Sequence, residues 1–528
     1  MAWEDVPAVI PTQRTPWPVG PRSRTAGVSS FGASGTNAHV ILEEAPVLTE
    51  TTAVERPLQL LTLSAKSEAA LAEIAVRFEA HFTANPESSL PDACFTANAG
   101  RTHFSHRLSV MAEGPVAVVE QLAAWREGGA PGGVGTGVAS ASRLKVAFLF
   151  TGDGAQYAGM GRELYATQPT FRKALERCEE ILRPHLAQPL LAVMHPRGGV
   201  SSLLDETPYI QPGLFALAWA LCELWRSWGI EPSAVMGHSV GEYVAACVAG
   251  VFSLEDALKL VAERGRLMGS LPAGGGMCAV EAGEDWVRAE IEAAGGLELS
   301  IAAINGPHSV VVSGAETELV RLVEWLEAEG IRTERLAVSH AFHSGLVDPI
   351  LDELEEVASR ASFAVPRIPL VSNLIGREAG EAMASAGYWR RQAREAVRFA
   401  DGMRALWARD VRAFVEIGPS ATLLGMGRAC VADDDAVWLP SLRKGREEWR
   451  ELLTSLATLY MRGGEVDWAG FDRDSPRRKV SLPTYPFQRE RHWIETPAPA
   501  PRASTERGGG VHPLLGRRVG SDRQVISK

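Results

Sequence analysis

One serine, a pair of histidines and one arginine stand out in this 528-residue chain as side chains whose type and spacing could do chemistry. Ser239 lies in Gly237-His238-Ser239-Val240-Gly241, after the short apolar run Ala234-Val235-Met236 and before the alanine-rich stretch Tyr243–Ala249. Gly-x-Ser-x-Gly between a strand and a helix is a nucleophile elbow, in which the glycines allow a tight turn that exposes the hydroxyl at the sheet edge. The helix that follows points its free N–H groups and positive dipole end at the same spot. The Val240 N–H is therefore the first candidate to hold a developing oxyanion. A serine hydroxyl also needs a base within hydrogen-bond reach. Among the histidines after Ser239, His308 falls in a turn, and His492 and His512 belong to an extended strap and a tail. The pair in His340-Ala-Phe-His343 is best placed, because it comes where the chain returns to the serine's own domain.

The elements that must position these groups follow from periodicity. A length of 528 residues suggests three or four units. Lys145–Phe150 is an uninterrupted apolar strand of the kind covered on both faces. The glycine-rich loop Thr151–Gly161 after it lacks the Walker lysine and the dinucleotide fingerprint; its expected use is to bring a second backbone N–H close to Ser239. Helices are predicted at 169–182, 211–228 and 254–267. Between about 271 and 338 the pattern reads strand, helix, strand, strand, helix, strand, which fits a ferredoxin-like split unit inserted in a larger α/β domain. A helix at 349–361 and strands at 369–372 and 413–417 complete that domain.

Upstream, 28–31 and 38–42 read as strands joined by a Gly/Ser loop, a piece too small to bury a core. A polar linker at 46–56 leads to a small α/β unit with strands at 58–64 and 107–111 and helices at 68–83, 90–98 and 116–125. It offers no polar constellation and reads as a spacer. The Gly/Ala/Ser-rich stretch 128–142 reads as a flexible joint. After residue 440 come a helix at 449–461, an extended strap at 477–488, a Pro/Ala/Gly linker at 496–510 and a tail at 511–516 that resembles a first strand.

With 46% hydrophobic and 22% charged residues the composition is that of a soluble globular protein. A net charge of -11 argues against nucleic acid or anionic lipid as partner. No signal peptide is visible, and the apolar windows at 215–224 and 234–252 carry Glu223, His238 and Glu242, so they read as buried elements rather than membrane spans. The six cysteines show neither CxxC nor Cys/His spacing. Reduced core thiols, no metal and a cytoplasmic location are the expectation.

Six motifs in order across about 145–440 carry a family resemblance: Phe150-Thr-Gly-x-Gly-Ala-Gln156, Gln211-Pro-x-Leu-Phe215, Gly237-His-Ser-Val-Gly241, Arg264-Gly-Arg-Leu-Met268, His340-Ala-Phe-His343-Ser and Glu416-Ile-Gly-Pro419. They resemble the malonyl-CoA:acyl carrier protein transacylases, specifically the acyltransferase domain of a modular type I polyketide synthase. The flanks agree. Phe31-Gly-x-x-Gly-Thr-Asn-Ala-His-Val40 is similar to the end of a ketosynthase whose catalytic residues lie upstream, which leaves His39 a structural role. Leu482-Pro-Thr-Tyr-Pro-Phe-Gln488 resembles the post-acyltransferase strap, and His512-Pro-Leu-Leu-Gly516 the start of a dehydratase.

The resemblance implies an α/β-hydrolase-like large subdomain (145–270 and 339–440) with an inserted ferredoxin-like small subdomain (271–338). It implies a ketosynthase remnant at 1–45, a linker domain at 46–140, a post-acyltransferase linker at 441–495, a flexible linker at 496–510 and a truncated dehydratase-like start at 511–528. Ser239 would be the nucleophile and His343 the base, its imidazole oriented by a backbone carbonyl near Glu416–Pro419. The N–H groups of Val240 and Asp153 would form the oxyanion hole. Arg264 would grip the free carboxylate of malonyl, with Arg266 an exposed neighbour. Gln211, His238, His340 and Phe342 would shape the pocket, Phe342 beside Val240 where the α-substituent is selected, in a pattern that favours malonyl over methylmalonyl.

The implied substrate is malonyl-CoA and the acceptor the phosphopantetheine thiol of an acyl carrier protein, with no bound cofactor. Neighbouring ketosynthase and dehydratase domains are the other implied partners, with neither nucleic acid nor membrane. One position departs from the family: Asp153 stands where a glutamine is usual, and an ionised carboxylate there would oppose the oxyanion unless it turned to solvent or met a cation. Two rival readings exist. An ordinary esterase would need a triad acid and would not need Arg264. A silenced docking segment would hold no acyl group on Ser239.

Overall fold

The computed structural model describes residues 6, 8–45, 55–140, 142–196, 203–293, 298–431 and 435–492. It divides into two units, Met1–Tyr485 and Pro486–Lys528. In the second, the described residues 486–492 form neither helix nor strand. The linker expected at 496–510, the dehydratase-like start at 511–528 and most of the 46–56 linker lie outside the described residues.

Strands β1 (Thr25–Phe31) and β2 (Asn37–Glu43) pair antiparallel, with Thr25 opposite Glu43 and Phe31 opposite Asn37. The hairpin buries no core of its own, and Val28, Phe31, Val40, Ile41 and Leu42 are exposed. Next come β3 (Gln59–Ala65), α1 (Glu68–Ala84), α2 (Leu90–Ala99), β4 (His106–Ala112), α3 (Pro115–Arg126) and β5 (Val134–Val138). Ser67 and Ser89 cap α1 and α2 by accepting from the third residue onward, as N-cap serines do. The three strands form an antiparallel sheet in the order β3-β4-β5.

β5 corrects the sequence reading, which took 128–142 for a flexible joint. Its glycines are packing residues: a Cβ on Gly135 would come within 2.5 Å of the Met461 side chain, and one on Gly137 within 2.9 Å of the Met461 carbonyl. The core of this unit also takes in Leu482 of the strap, where the Val480 N–H donates to Thr96 Oγ1 (2.9 Å) and the Lys66 N–H to the Tyr485 hydroxyl (3.1 Å).

The central layer starts at β6 (Val146–Phe150), buried at every position, as a strand covered on both faces must be. It is followed by α4 (Arg162–Thr167), α5 (Pro169–Leu182), α6 (Leu190–Met194), α7 (Thr207–Ser227), β7 (Ala234–Gly237), α8 (Gly241–Ala249) and α9 (Leu254–Gly269). Helix α7 begins four residues before the predicted start. Pro208 occupies its first turn, and Pro212 lies inside the helix. Gln211 is therefore a buried residue of the second turn and not a helix-terminal one.

Strands β8 (Gly275–Val280), β9 (Leu299–Gly306), β10 (Ser309–Ala315) and β11 (Thr333–Arg335), with α10 (Glu284–Ala293) and α11 (Glu316–Ala328), build a separate sheet in the order β11-β8-β10-β9. All its pairs are antiparallel, which is the order of a split βαβ unit. The chain then runs through a 3₁₀ turn (Gly345–Ile350) into α12 (Leu351–Ala358), β12 (Leu370–Ser372), β13 (Arg377–Glu378), α13 (Ala386–Arg394), α14 (Phe399–Ala408), β14 (Ala413–Ile417), α15 (Thr422–Cys430), β15 (Val437–Pro440), α16 (Glu448–Met461) and α17 (Trp468–Phe471). The predicted 349–361 helix is α-helical over Leu351–Ala358, and its first two positions, Pro349 included, belong to the 3₁₀ turn.

The large sheet has the order β13-β12-β7-β6-β14-β15, parallel except for the edge pair β12–β13. Phe150 is in register with Gly237 on one side and Ile417 on the other. The loops that follow β6, β7 and β14 thus leave the same carboxyl edge side by side, where open α/β sheets place their ligands.

Candidate active site

The turn after β7 is forced by close approach. A Cβ on Gly237 would lie 2.2 Å from the Glu242 nitrogen, and one on Gly241 2.2 Å from the Phe150 carbonyl. Between them Ser239 takes a left-handed backbone, φ 50°, a conformation that costs a non-glycine residue about 1–3 kcal/mol and persists only where the surroundings impose it. The surroundings are polar and buried. Gln392 Nε2 donates to the Ser239 carbonyl (2.8 Å), and Asn373 Nδ2 to that of Gly237 (3.3 Å). Glu242 Oε1 accepts from the Asn373 N–H and the Tyr388 hydroxyl, both at 2.8 Å. Burial pushes the Glu242 carboxyl up to about 7.

His343 is brought to this turn from beyond the inserted sheet. It too has a left-handed backbone, φ 56°. Its Nε2 lies 2.8 Å from Ser239 Oγ and its Nδ1 2.8 Å from the Glu395 carbonyl. Since a carbonyl can only accept, Nδ1 carries the proton and Nε2 is left to accept from the serine hydroxyl. Burial first, then the Arg264 charge, hold the ring down to about 3, so it is neutral near pH 7.

The orienting carbonyl corrects the sequence reading, which placed it near Glu416–Pro419. That segment backs onto the β6 loop instead. A Cβ on Gly418 would lie 2.0 Å from Thr151 Oγ1, and Glu416 Oε2 accepts from the Leu424 N–H (3.0 Å). Glu395 closes α13 in an extended conformation, which turns its carbonyl out of the helix line and toward the imidazole.

A cavity of about 310 Å³ opens above the serine, at the small end of ligand-site volumes. Its walls combine the β6 loop (Thr151–Ala155), His238, Ser239, Phe342 and His343 with Met277, Asn305 and Val311 of the smaller sheet. His238 Nε2 pairs with Asn305 Oδ1 at 2.9 Å, tying the elbow to β9. A Cβ on Gly152 would come within 2.6 Å of the His238 carbonyl, so the β6 loop presses directly on the elbow. Val240 is buried at the N-cap of α8.

Arg264 sits on the buried face of α9 with Ala257, Leu260, Val261 and Met268. It is 1% exposed, and its Nε and Nη1 have no hydrogen-bond partner among the described residues. Its guanidinium lies 5.4 Å from the centroid of the Tyr243 ring. Arg266 faces outward and pairs with Glu263 (2.8 Å) and Glu353 (2.7 Å). Gln211 Nε2 donates to Asp153 Oδ2 (3.3 Å), while Gln211 Oε1 and Asp153 Oδ1 are buried without partners. The Asp153 carboxyl is thus turned inward onto the Gln211 amide, with Oδ1 shut off from solvent. Burial raises its pKa, with Arg264 and Gln211 acting in the opposite sense.

Of the residues singled out from sequence, Ser239, His343, His238, Asp153 and Phe342 meet at the cavity; Gln211 and Arg264 stand behind it, at and beyond the Asp153 carboxyl. His340 is turned away, with Nε2 at the Leu271 carbonyl (3.1 Å) and Nδ1 at Ser339 Oγ (2.8 Å). Sequence reasoning missed Glu395, Gln392, Asn373 and Asn305. Glu242 carried a signal, as a carboxylate in an alanine-rich helix that needs partners. A backbone carbonyl such as that of Glu395 carries none. Among the described residues no group of three or more His, Cys, Asp or Glu could hold a metal, and no helix is long and apolar enough to cross a membrane. The arrangement can deprotonate a hydroxyl for attack on a carbonyl, beside an unpaired buried cation that suits an acid group.

The acyl transferase domain family matches residues 147–466, and the family described as CurL-like, PKS C-terminal matches residues 59–122. Over 534 residues, 97% of this chain, the sequence is 43% identical to the spectinabilin polyketide synthase system protein NorB of Streptomyces orinoci, of whose length it spans 24%. The solved acyl transferase domain of ZmaA superposes with a TM-score of 0.75 at 34% identity, over 82% of this chain and 100% of that one. A malonyl-transacylase solved with its type II acyl-carrier protein superposes at 0.54 with 29% identity, over 59% of this chain and 99% of that one. The two sheets are accordingly the α/β-hydrolase-like large subdomain and the ferredoxin-like small subdomain of this fold.

Proposed function

The chain belongs to the acyl transferase domain family, and from that premise we propose that it moves a malonyl group from coenzyme A to the phosphopantetheine thiol of an acyl carrier protein in polyketide assembly. The observation that carries this reading is the 2.8 Å contact between Ser239 Oγ and His343 Nε2, set beside a buried arginine with two unpartnered N–H donors. His343 takes the serine proton as Oγ attacks the thioester carbonyl. The Val240 and Asp153 N–H groups hold the oxyanion, and the coenzyme A thiolate leaves with the proton that His343 returns. The carrier thiol then attacks the malonyl-serine ester, again with His343 as base, and Ser239 is restored in a ping-pong cycle. General base action of this kind contributes about 10²–10⁴ in rate, and each oxyanion donor about 10²–10³.

Arg264 supplies the preference for a dicarboxylic half-acid. A planar guanidinium forks onto a carboxylate, and a site built for such a group can reject an analogue without it by about 10⁴. Phe342 narrows the space for an α-substituent, with Val240 buried next to Ser239, and His238 completes the wall with Gln211 behind it. The hairpin at 25–43 and the stretch beyond 510 belong, on this reading, to ketosynthase and dehydratase neighbours of one cytoplasmic synthase.

Intact-mass analysis after incubation with malonyl-CoA tests the proposal. A malonyl adduct on Ser239 that discharges onto a holo carrier protein, and is lost in Ser239→Ala, is expected. No adduct, or discharge only to water, refutes it in favour of the silenced or the esterase reading.

A further inference from the structure

Three groups at and behind the cavity wall are left incomplete together. Among the described residues, Arg264 has two buried donors without partners, and Asp153 Oδ1 and Gln211 Oε1 are buried acceptors without partners. The single bond among them is the long one from Gln211 Nε2 to Asp153 Oδ2, at 3.3 Å. A guanidinium buried with open donors is the counter-ion of an anion still to come. Asp153 is itself a carboxyl on the cavity wall, close enough for the Arg264 charge to act on it. A substrate carboxylate and the side chain of Asp153 therefore have claims on the same cation.

We propose that the Asp153 carboxyl is a specificity-determining group whose protonation state decides which acyl groups the site accepts. As a neutral acid, Asp153 donates its O–H to the unpartnered Gln211 oxygen or to the incoming carboxylate, and Arg264 receives the substrate's charge. As a carboxylate, it takes the counter-ion's place. A second carboxylate then meets a like charge in a dry recess, while an uncharged acyl group such as acetyl no longer strands a buried cation. The inference rests on the acyl transfer reading above and deepens it.

Two forces set the balance. Burial pushes the Asp153 proton affinity up, and Arg264 and the Gln211 amide pull it down, with burial the larger. The titratable groups facing the recess are Arg264 from α9, Tyr243 from α8 (pushed up to about 12), His238 from the elbow (pushed down by burial) and His343 (held down to about 3). The two histidines serve both acyl groups alike, so their titration cancels in a ratio of rates.

The test is that ratio. Ser239 acylation by malonyl-CoA and by acetyl-CoA is measured on the whole chain from pH 5.5 to 9, for the native protein, Asp153→Asn and Asp153→Gln. If only the acid form admits malonyl, its apparent affinity scales with the fraction protonated. The malonyl-to-acetyl ratio of kcat/KM should then fall as pH rises, approaching about tenfold per pH unit above the Asp153 midpoint. In either amide variant it should stay high and flat. A flat ratio in the native protein, or amide variants that follow its slope, overturns the inference while leaving acyl transfer intact. No acyl-serine from either thioester overturns the transfer reading itself.

Discussion

Replacing Arg264 with methionine should make the protein more stable and a poorer malonyl acceptor at once. Two donors, Nε and Nη1, are buried without partners, and each buried unmade hydrogen bond costs about 1–3 kcal/mol. Against the relief stand the contact with the Tyr243 ring, 5.4 Å from the guanidinium and worth about 0.5–2 kcal/mol, and about 1 kcal/mol for imperfect repacking. Taken at the middle of each range, the balance is a gain of about 2 kcal/mol, or a few degrees in Tm. Removing one partner of a buried charge pair costs about 2–5 kcal/mol, so malonyl acylation should fall roughly 30- to 5,000-fold in kcat/KM. Acetyl acylation should hold or rise, because the Arg264 charge also lowers the proton affinity of His343. Denaturant melts and intact-mass acylation kinetics on the same preparations read both effects. A variant destabilised by more than about 1 kcal/mol, or one that keeps malonyl acylation, would refute the idea of a cation held in reserve for substrate.

Glu242→Gln should match the native protein in stability near pH 4 and exceed it at pH 8. The native carboxyl is raised from 4.5 to about 7, so its contribution is present below pH 4.5 and lost as pH rises through about 7, up to about 3 kcal/mol by linkage; urea melts at the two pH values check it. His343 has the opposite sign: lowered from 6.5 to about 3, its neutral form gives stability above pH 6.5 that is lost as pH falls toward 3, and acylation should show no histidine limb between pH 5 and 8 in single-turnover assays. Gln392→Ala removes the donor to the Ser239 carbonyl; kcat should drop about tenfold with KM unchanged, the loss of one hydrogen bond worth about 1–1.5 kcal/mol, as steady-state kinetics would read. Gly137→Ala forces a Cβ to within 2.9 Å of the Met461 carbonyl and should cost about 1–3 kcal/mol in a thermal melt, where a flexible joint would lose nothing.

What could be read from the chain followed how far the signal was local. The elbow, the buried strand at Val146–Phe150 and each element of the split βαβ alternation are carried by patterns within a dozen or so residues, and they reappear in the structure within a few positions. Arg264 was visible only through the family motif that contains it, since a lone arginine on a helix reads by itself as a solvated charge; its burial on α9 belongs to the fold. The joint at 128–142 was misread because glycine marks flexibility and close packing alike, and only Met461, more than 300 residues on, decides between them. The partner of His343 Nδ1 was misplaced for a deeper reason. Every residue has a carbonyl, so only the path of the chain after α13 singles out Glu395. Asp153 was seen as a chemical anomaly, but its direction depends on three helices and a loop that meet only in the fold.

A charge cluster joining the segment before β3 to the segment after α17, buried at all its members but Glu55, bears on how the protein can be cut down. Asp472 is bound by Arg56 and by Arg477 (2.9 Å), and Arg477 also reaches Glu55 at 2.6 Å. The ring of Phe471 packs against Trp228 of the central layer, with centroids 5.2 Å apart. A fragment trimmed to the homologous segment 147–466 would lose the whole cluster and bare that tryptophan. The smallest piece that keeps its seams closed therefore runs from Glu55 to Tyr485, and any graft of this catalytic unit into another assembly should carry both margins with it.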